Sequence, residues 1–495
     1  MRASGILMHI TSLPSKYGIG TMGAEAYKFV DFLVEAKQRY WQILPVGPTS
    51  YGDSPYQSFS THAGNPYMID LDMLAEDGLL EEDDYAKAEW GADPEKVDYE
   101  QIYHSRYKVL RKAYEKFKIG DKTDFNRFAE ENDNWISNYA LFMSAKILNN
   151  NKSWLEWAEG LKTRDPHTLW EFKTANADEV EFWEFIQYKF FEQWRRLKSY
   201  ANEKGILIIG DIPIYVALDS APVWVYPDLF ELDEKLAPTK VAGCPPDSFS
   251  PTGQLWGNPL YRWGRHEETG YNWWIDRLAA ARELYDVIRI DHFRGFDEYY
   301  AVPFGDTTAE NGAWLKGPSL RLFEAVEAKL GRLNVIAEDL GFLTPSVREM
   351  LEKSGYPGMK VLEFAFDSGS DNDYLPHKFV RNSAAYIGTH DNDTVLGWLD
   401  TADESTVDFC AEYIMADKKN RSDFLWRLIG TVFASVSDTA ILQMQDCLEL
   451  GSEARMNIPS TSGSNWTWRM KKGAATKELA ARLADITRTY GRDKN

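Results

Sequence analysis

The stretch Asp286-Val287-Ile288-Arg289-Ile290-Asp291-His292-Phe293-Arg294-Gly295 decides how this chain is read. Its first half is a short β-branched run bounded by acids, the pattern of a strand buried on both faces in a parallel sheet. Its second half turns away at Gly295 and leaves Asp291 at the strand's C-terminal end. Arg289 lies two residues before Asp291 and therefore projects from the same face. A guanidinium and a carboxylate sharing one face of a buried strand predict a functional site.

Seven further runs of this kind flank it. Strands are predicted at residues 5–10, 40–46, 205–212, 286–291, 334–338, 359–364, 384–389 and 440–445, with helical periodicity at 24–36, 182–204, 273–284, 318–330, 345–353 and 474–490. Eight strands alternating with helices predict an α/β fold, a (β/α)8 barrel. The fold is read as one barrel over 1–495 with two insertions too long to be simple connections. One, a helix-rich subdomain, spans 50–200; the other, with a lid loop, spans 214–285. No C-terminal β-domain is read after the eighth strand.

In such a barrel the chemistry sits at the C-terminal strand ends. Here those ends carry Asp211, Asp291, Glu338 and Asp391. A lone acid at a strand end is usually a helix cap. Four around one mouth raise at least one another's pKa and cost stability, an arrangement kept mainly for chemistry. Glycoside chemistry with retention needs two carboxyls roughly 5–5.5 Å apart, and adjacent strands about 4.8 Å apart can supply them. Asp291 and Glu338 are the natural pair, and Arg289 would keep Asp291 ionised and aimed.

Composition narrows the partners. The 495 residues carry 55 basic and 76 acidic side chains, a net charge of −21, which disfavours nucleic acid and anionic membranes. No apolar run is long enough to span a bilayer. Three cysteines, none in a CxxC pair, argue against a disulfide framework or a zinc site and fit the cytoplasm. The 18 Trp, 26 Tyr and 25 Phe include many beside turn residues, where flat faces suit sugar rings. The run Gly18-Ile19-Gly20-Thr21-Met22-Gly23 matches a dinucleotide fingerprint, but its glycines do not follow a strand directly and no acid stands about 20 residues on. It is read as a loop.

The motifs around Asp291, Ala337-Glu338-Asp339-Leu340-Gly341 and Thr389-His390-Asp391-Asn392 resemble those of the 4-α-glucanotransferases, the amylomaltase or disproportionating-enzyme family. So do Ser12-Leu13-Pro14-Ser15, Gly52-Asp53-Ser54-Pro55-Tyr56 and Gly253-Gln254-Leu255-Trp256-Gly257-Asn258, so the resemblance covers nearly the whole chain. It implies transfer of an α-1,4-glucan segment to the 4-OH of glucose or a maltooligosaccharide, with retention, no cofactor and no metal, by a monomer or homodimer. It implies Asp291 as nucleophile, Glu338 as general acid/base and Asp391 as third carboxylate, supported by Arg289 and His390. A sugar-binding shell of Tyr56, Ser54, Asp211, Asp247, Gln254, Trp256 and Asn465 follows from the same likeness. Residues 245–258 resemble the family's lid, faced by a loop at 457–468. Three other readings stand beside this one: a hydrolase on the same scaffold, a Mg²⁺-dependent carboxylate barrel, and a non-catalytic glucan binder.

Overall fold

The computed structural model describes residues 2–50, 52–246, 250–341, 343–461 and 463–493. In chain order, β1 (Ala3–Leu7), β2 (Tyr40–Gln42) and β3 (Leu207–Ile212) precede β4 (Lys240–Cys244) and β5 (Gln254–Pro259). Then come β6 (Val287–Ile290), β7 (Glu298–Pro303), β8 (Ala313–Lys316), β9 (Val335–Ala337), β10 (Gly358–Val361), β11 (Ser383–Tyr386) and β12 (Thr439–Gln443). Eight of these form a closed parallel barrel in the order β1-β12-β11-β10-β9-β6-β3-β2, and helices run between them. The eight predicted strands are these eight, each within a few residues of its expected ends.

Two registers fix the centre of the barrel. Asp211 on β3 stands opposite Arg289 on β6, and Arg289 stands opposite Ile336 on β9. Cross-strand partners share a face, so Asp211 and Arg289 both point inward, and Asp291 and Glu338 leave the next two strand ends beside them.

The chain between β2 and β3 carries helices Tyr99–Phe117, Thr123–Glu131, Ile136–Leu148 and Pro166–Ala175, then the 27-residue helix Ala177–Glu203. Two buried glutamines on that long helix tie the loop after β2 to the barrel wall. Gln187 accepts from Gly64 N at 2.8 Å and donates to Gly64 O at 3.0 Å. Gln193 does the same with Asp70, at 2.7 and 3.0 Å. Gly64 must be glycine, because a Cβ there would lie 2.1 Å from the Phe190 ring. The loop that presents Tyr56 is therefore anchored at its far end.

A second sheet, antiparallel in the order β5-β4-β7-β8, lies outside the barrel. It changes one sequence expectation: residues 245–258 are not all loop, since Gln254–Pro259 is a strand. The sheet pairs β4 and β5 with β7 and β8 from beyond residue 285. It has its own small core of Val241, Tyr300, Val302 and Ala309. Among the described residues no helix is long and apolar enough to cross a membrane.

Replacing Gln193 by leucine leaves the buried N–H of Asp70 unpaired, while its carbonyl keeps Leu74 N at 3.4 Å. Chemical denaturation should show a loss of about 1–3 kcal/mol, whereas an unchanged midpoint would mean that the loop finds other partners.

Candidate active site

Strand register and a strained turn build the site. Asp291 N donates to Ile212 O at 3.0 Å, Glu338 N to Ile290 O at 3.0 Å, and Phe293 N to Glu338 O at 3.0 Å, so the ends of β3, β6 and β9 are laced together. Between Asp291 and Phe293 the backbone of His292 is left-handed, with φ +50°. That conformation costs a non-glycine residue roughly 1 kcal/mol or more. It turns the His292 N–H onto Glu338 Oε2, which accepts at 2.5 Å.

Arg289 is the hub. Its Nη1 donates to Asp211 Oδ2 at 2.6 Å and to Asp291 Oδ1 at 3.1 Å, while Nη2 lies 3.6 Å from Glu338 Oε2. The side chains are graded in exposure: 2% for Arg289, 0% for Asp211, 15% for Glu338 and 26% for Asp291. Asp291 and Glu338 can meet a substrate, while Asp211 can act only through the guanidinium and Tyr56, whose hydroxyl donates to Asp211 Oδ2 at 2.9 Å. The expected place of Asp211 in the sugar-binding shell is therefore corrected to the layer beneath it. Burial penalises the arginine's charge, but Asp211, Asp291 and Glu338 together hold Arg289 protonated.

Two of the carboxyls are driven toward the protonated form. Burial, and then the charge of Asp291, push Glu338 up to about 8, against the opposing pull of Arg289. Burial pushes Asp211 up to about 7, again against Arg289. A carboxyl kept neutral beside a second carboxyl is an arrangement suited to acid–base chemistry. The guanidinium occupies the space among the three acids where a cation would sit. Among the described residues no group of three or more His, Cys, Asp or Glu is arranged to hold a metal ion.

The third carboxylate arrives on the loop after β11. Asp391 Oδ1 lies 3.4 Å from His390 Nε2 and accepts from Asn457 Nδ2 at 2.6 Å. Arg455 donates to the carbonyls of Asp391 and Asn457, each at 2.8 Å. Burial holds the His390 ring below the usual imidazole range despite Asp391. That ring stacks on Tyr56, with centroids 5.1 Å apart and planes 12° apart, and both contact Trp466 at 5.9 Å. Tyr56, His390 and Trp466 thus form one aromatic wall beside the acids.

The rest of the expected shell divides. Trp256 meets the His292 ring edge-on at 4.8 Å and donates to Gln254 Oε1 at 3.1 Å, placing Trp256 against the turn that follows Asp291. Ser54 Oγ instead accepts from Tyr56 N at 3.2 Å, holding the turn that carries Tyr56. Asn465 is spent on its own loop, donating to Ile458 O and Thr461 O at 3.3 and 3.2 Å and accepting from Ile458 N. Asp247 lies outside the described residues. Sequence reasoning missed Asn457 and Arg455. Asn457 opens the loop read as facing the lid, but an asparagine in a loop carries no signal of its own.

The geometry defines a (β/α)8 barrel with Asp211, Asp291 and Glu338 gathered on one buried guanidinium and an aromatic wall beside Asp391. A family model described as 4-alpha-glucanotransferase matches residues 8–476. A 4-alpha-glucanotransferase of Clostridium butyricum is 51% identical over 98% of this chain and 100% of its own length. One from Streptococcus pneumoniae is 49% identical over 99% and 97%. The solved amylomaltase of Streptococcus agalactiae in complex with acarbose superposes with a TM-score of 0.97 at 43% identity, covering 99% of this chain and 100% of that one. The chain belongs to the 4-α-glucanotransferase family.

Asn457→Ala should leave the fold intact and lower kcat about tenfold or more, since a carboxylate freed to rotate loses the positioning on which oriented catalysis depends. Steady-state kinetics on maltotriose measures this, and an unchanged kcat would remove Asn457 from the site.

Proposed function

We propose that this enzyme transfers α-1,4-glucan segments by two displacements at one anomeric carbon, with Asp291 as nucleophile and Glu338 as the proton-transfer group. The observation that carries this reading is the single guanidinium of Arg289, 3.1 Å from Asp291 and 3.6 Å from Glu338 at adjacent strand ends. In the first step an Asp291 oxygen attacks the anomeric carbon, the glycosidic C–O bond breaks, and Glu338 gives its proton to the departing 4-oxygen. Esterified Asp291 no longer repels charge on Glu338, so Glu338 can stay ionised and take the proton of an incoming 4-hydroxyl. That hydroxyl's oxygen then displaces Asp291, and two inversions give net retention. Asp391 and His390 hold sugar hydroxyls beside the reacting carbon, and Tyr56 and Trp466 support the His390 ring.

Transfer rather than hydrolysis is supported by the cover over the acids. Trp256 reaches His292 from one side, and the loop carrying Trp466 reaches His390 from the other. A cleft covered in this way excludes water, while a sugar acceptor gains binding energy from the aromatic faces. The donor is a maltooligosaccharide or dextrin and the acceptor glucose or a maltooligosaccharide. Among the described residues no cysteine pairs into a disulfide, and Cys410 and Cys447 are buried, which supports a reducing cytoplasm.

Incubation with pure maltotriose, without cofactor or metal, should give glucose and a ladder of longer maltodextrins. Asp291→Asn and Glu338→Gln should each abolish the ladder while the far-ultraviolet dichroism stays the same. Maltose and glucose alone would assign a hydrolase, and a near-normal rate in either variant would sink that residue's role.

The pH profile tests the electrostatics independently. Glu338 must hold its proton to act as acid, and its folded value is about 8. The rate constant kcat/KM should therefore be flat near neutrality and fall about tenfold per unit above roughly pH 8. A fall already complete at pH 6 would contradict a buried, proton-bearing Glu338.

A further inference from the structure

Behind the loop that presents His390 and Asp391 lies a second group of acids that the reaction does not touch. Glu363 follows β10 in the turn Leu362–Phe364, and its N–H donates to Ile387 O at 3.0 Å. Its Oε1 is sealed from solvent without a hydrogen-bond partner. That oxygen occupies the space a side chain at residue 388 would need, since a Cβ on Gly388 would lie 2.8 Å from it. The Glu363 carboxyl also hydrogen-bonds the Asn392 side chain. The amide oxygen of Asn392 in turn accepts from Thr389 N at 2.9 Å and from Thr389 Oγ1 at 3.1 Å. Thr389 Oγ1 then accepts from Asp391 N at 3.3 Å. An unbroken path of polar contacts thus runs from Glu363 to the backbone of the third carboxylate.

We propose that Glu363 is a positioning residue for glucan transfer, its carboxyl fixing the Gly388–Asn392 turn and so the placement of His390 and Asp391. This rests on the reaction proposed above, and Glu363 acts through Asn392 without touching sugar.

The surroundings favour an uncharged carboxyl. Asp446, after β12, has a sealed and unpartnered Oδ2 of its own, while its Oδ1 accepts from Val395 N at 2.8 Å. Asp393, after β11, accepts from Ser452 Oγ at 2.8 Å and stands 3.8 Å from Arg455 Nη1. Arg455 faces the group, and it is already engaged by Asp393 and by the carbonyls of Asp391 and Asn457. Burial first, then Asp446 and Asp393, therefore push Glu363 well above the usual carboxylate range, against the Asn392 amide and Arg455. A neutral hydrogen-bonding group of this size can be replaced by glutamine but not by an apolar side chain.

The test compares Glu363→Gln and Glu363→Met with the parent enzyme on maltotriose. Glu363→Gln should keep kcat within about threefold, whereas folded Glu363→Met should lose about ten- to a hundredfold in kcat, the scale of a misplaced catalytic group, with KM much less affected. Equal kcat in the two variants would overturn the proposal, as would a folded but inactive Gln variant. Parent activity in the same assay keeps this outcome separate from a failure of the transfer reaction itself. Thermal unfolding serves if the Met variant does not fold. A carboxyl with a raised folded value keeps a proton that the unfolded chain has released, so its contribution to stability falls as pH rises above the unfolded carboxylate range. Tm of Glu363→Gln relative to the parent should therefore climb from pH 4.5 to pH 8.5, and a difference independent of pH would refute a neutral buried carboxyl.

Discussion

One buried guanidinium organises this active site. Arg289 is shut away from water inside the barrel, and three carboxyls converge on it. A lone buried cation would be costly, and so would three acids gathered without one; each side makes the other tolerable. The arrangement also divides labour. Asp211, wholly buried, is the counter-charge that holds the arginine. Asp291 receives one donor and keeps its remaining surface for substrate. Glu338, farthest of the three from the guanidinium, is pushed up first by burial and then by the charge of Asp291. Three chemically similar side chains thus differ in depth and in their contact with a single group.

That hub needs the barrel. Asp211 and Arg289 meet because β3 and β6 are neighbours in register, and a shift of one residue would turn Arg289 into the surrounding helices. The left-handed turn at His292 belongs to the same construction. It ends the strand abruptly enough to leave Asp291 at the rim while turning a backbone N–H onto Glu338. Local strain is held there by the lacing of three strand ends.

Legibility in the sequence followed burial. The eight barrel strands were readable because each is sealed on both faces and so is written as a continuous apolar run. The antiparallel sheet was not: β8 is mostly exposed, β5 alternates, and the sheet's small core draws on residues from both sides of β6. The acids were found because strand ends in a barrel have a fixed meaning. Asp211 was assigned to sugar because sequence marks the strand end and not the depth. Sequence did not show that Ser54 and Asn465 also hold their own loops, because polar loop residues near motif positions look alike whatever they bond. Asn457 and Arg455 gave no signal, because their importance comes from a contact across more than sixty residues of chain.

The same logic extends to the far wall of the cleft. Asp391 is the most exposed of the site's carboxylates, at 43%, and among the described residues no guanidinium grips its oxygens as Arg289 grips Asp211 and Asp291. Its position is instead inherited: from Asn457 at its carboxylate, from Arg455 at its carbonyl, and from Thr389 at its N–H. Asp291 and Glu338 are thus held at strand ends beside one guanidinium, whereas Asp391 is held by hydrogen bonds on a loop. In the reaction proposed above, this fixes the two groups that make and break bonds to the barrel wall, and it leaves the group proposed to hold sugar hydroxyls with the most carboxylate surface free to meet them.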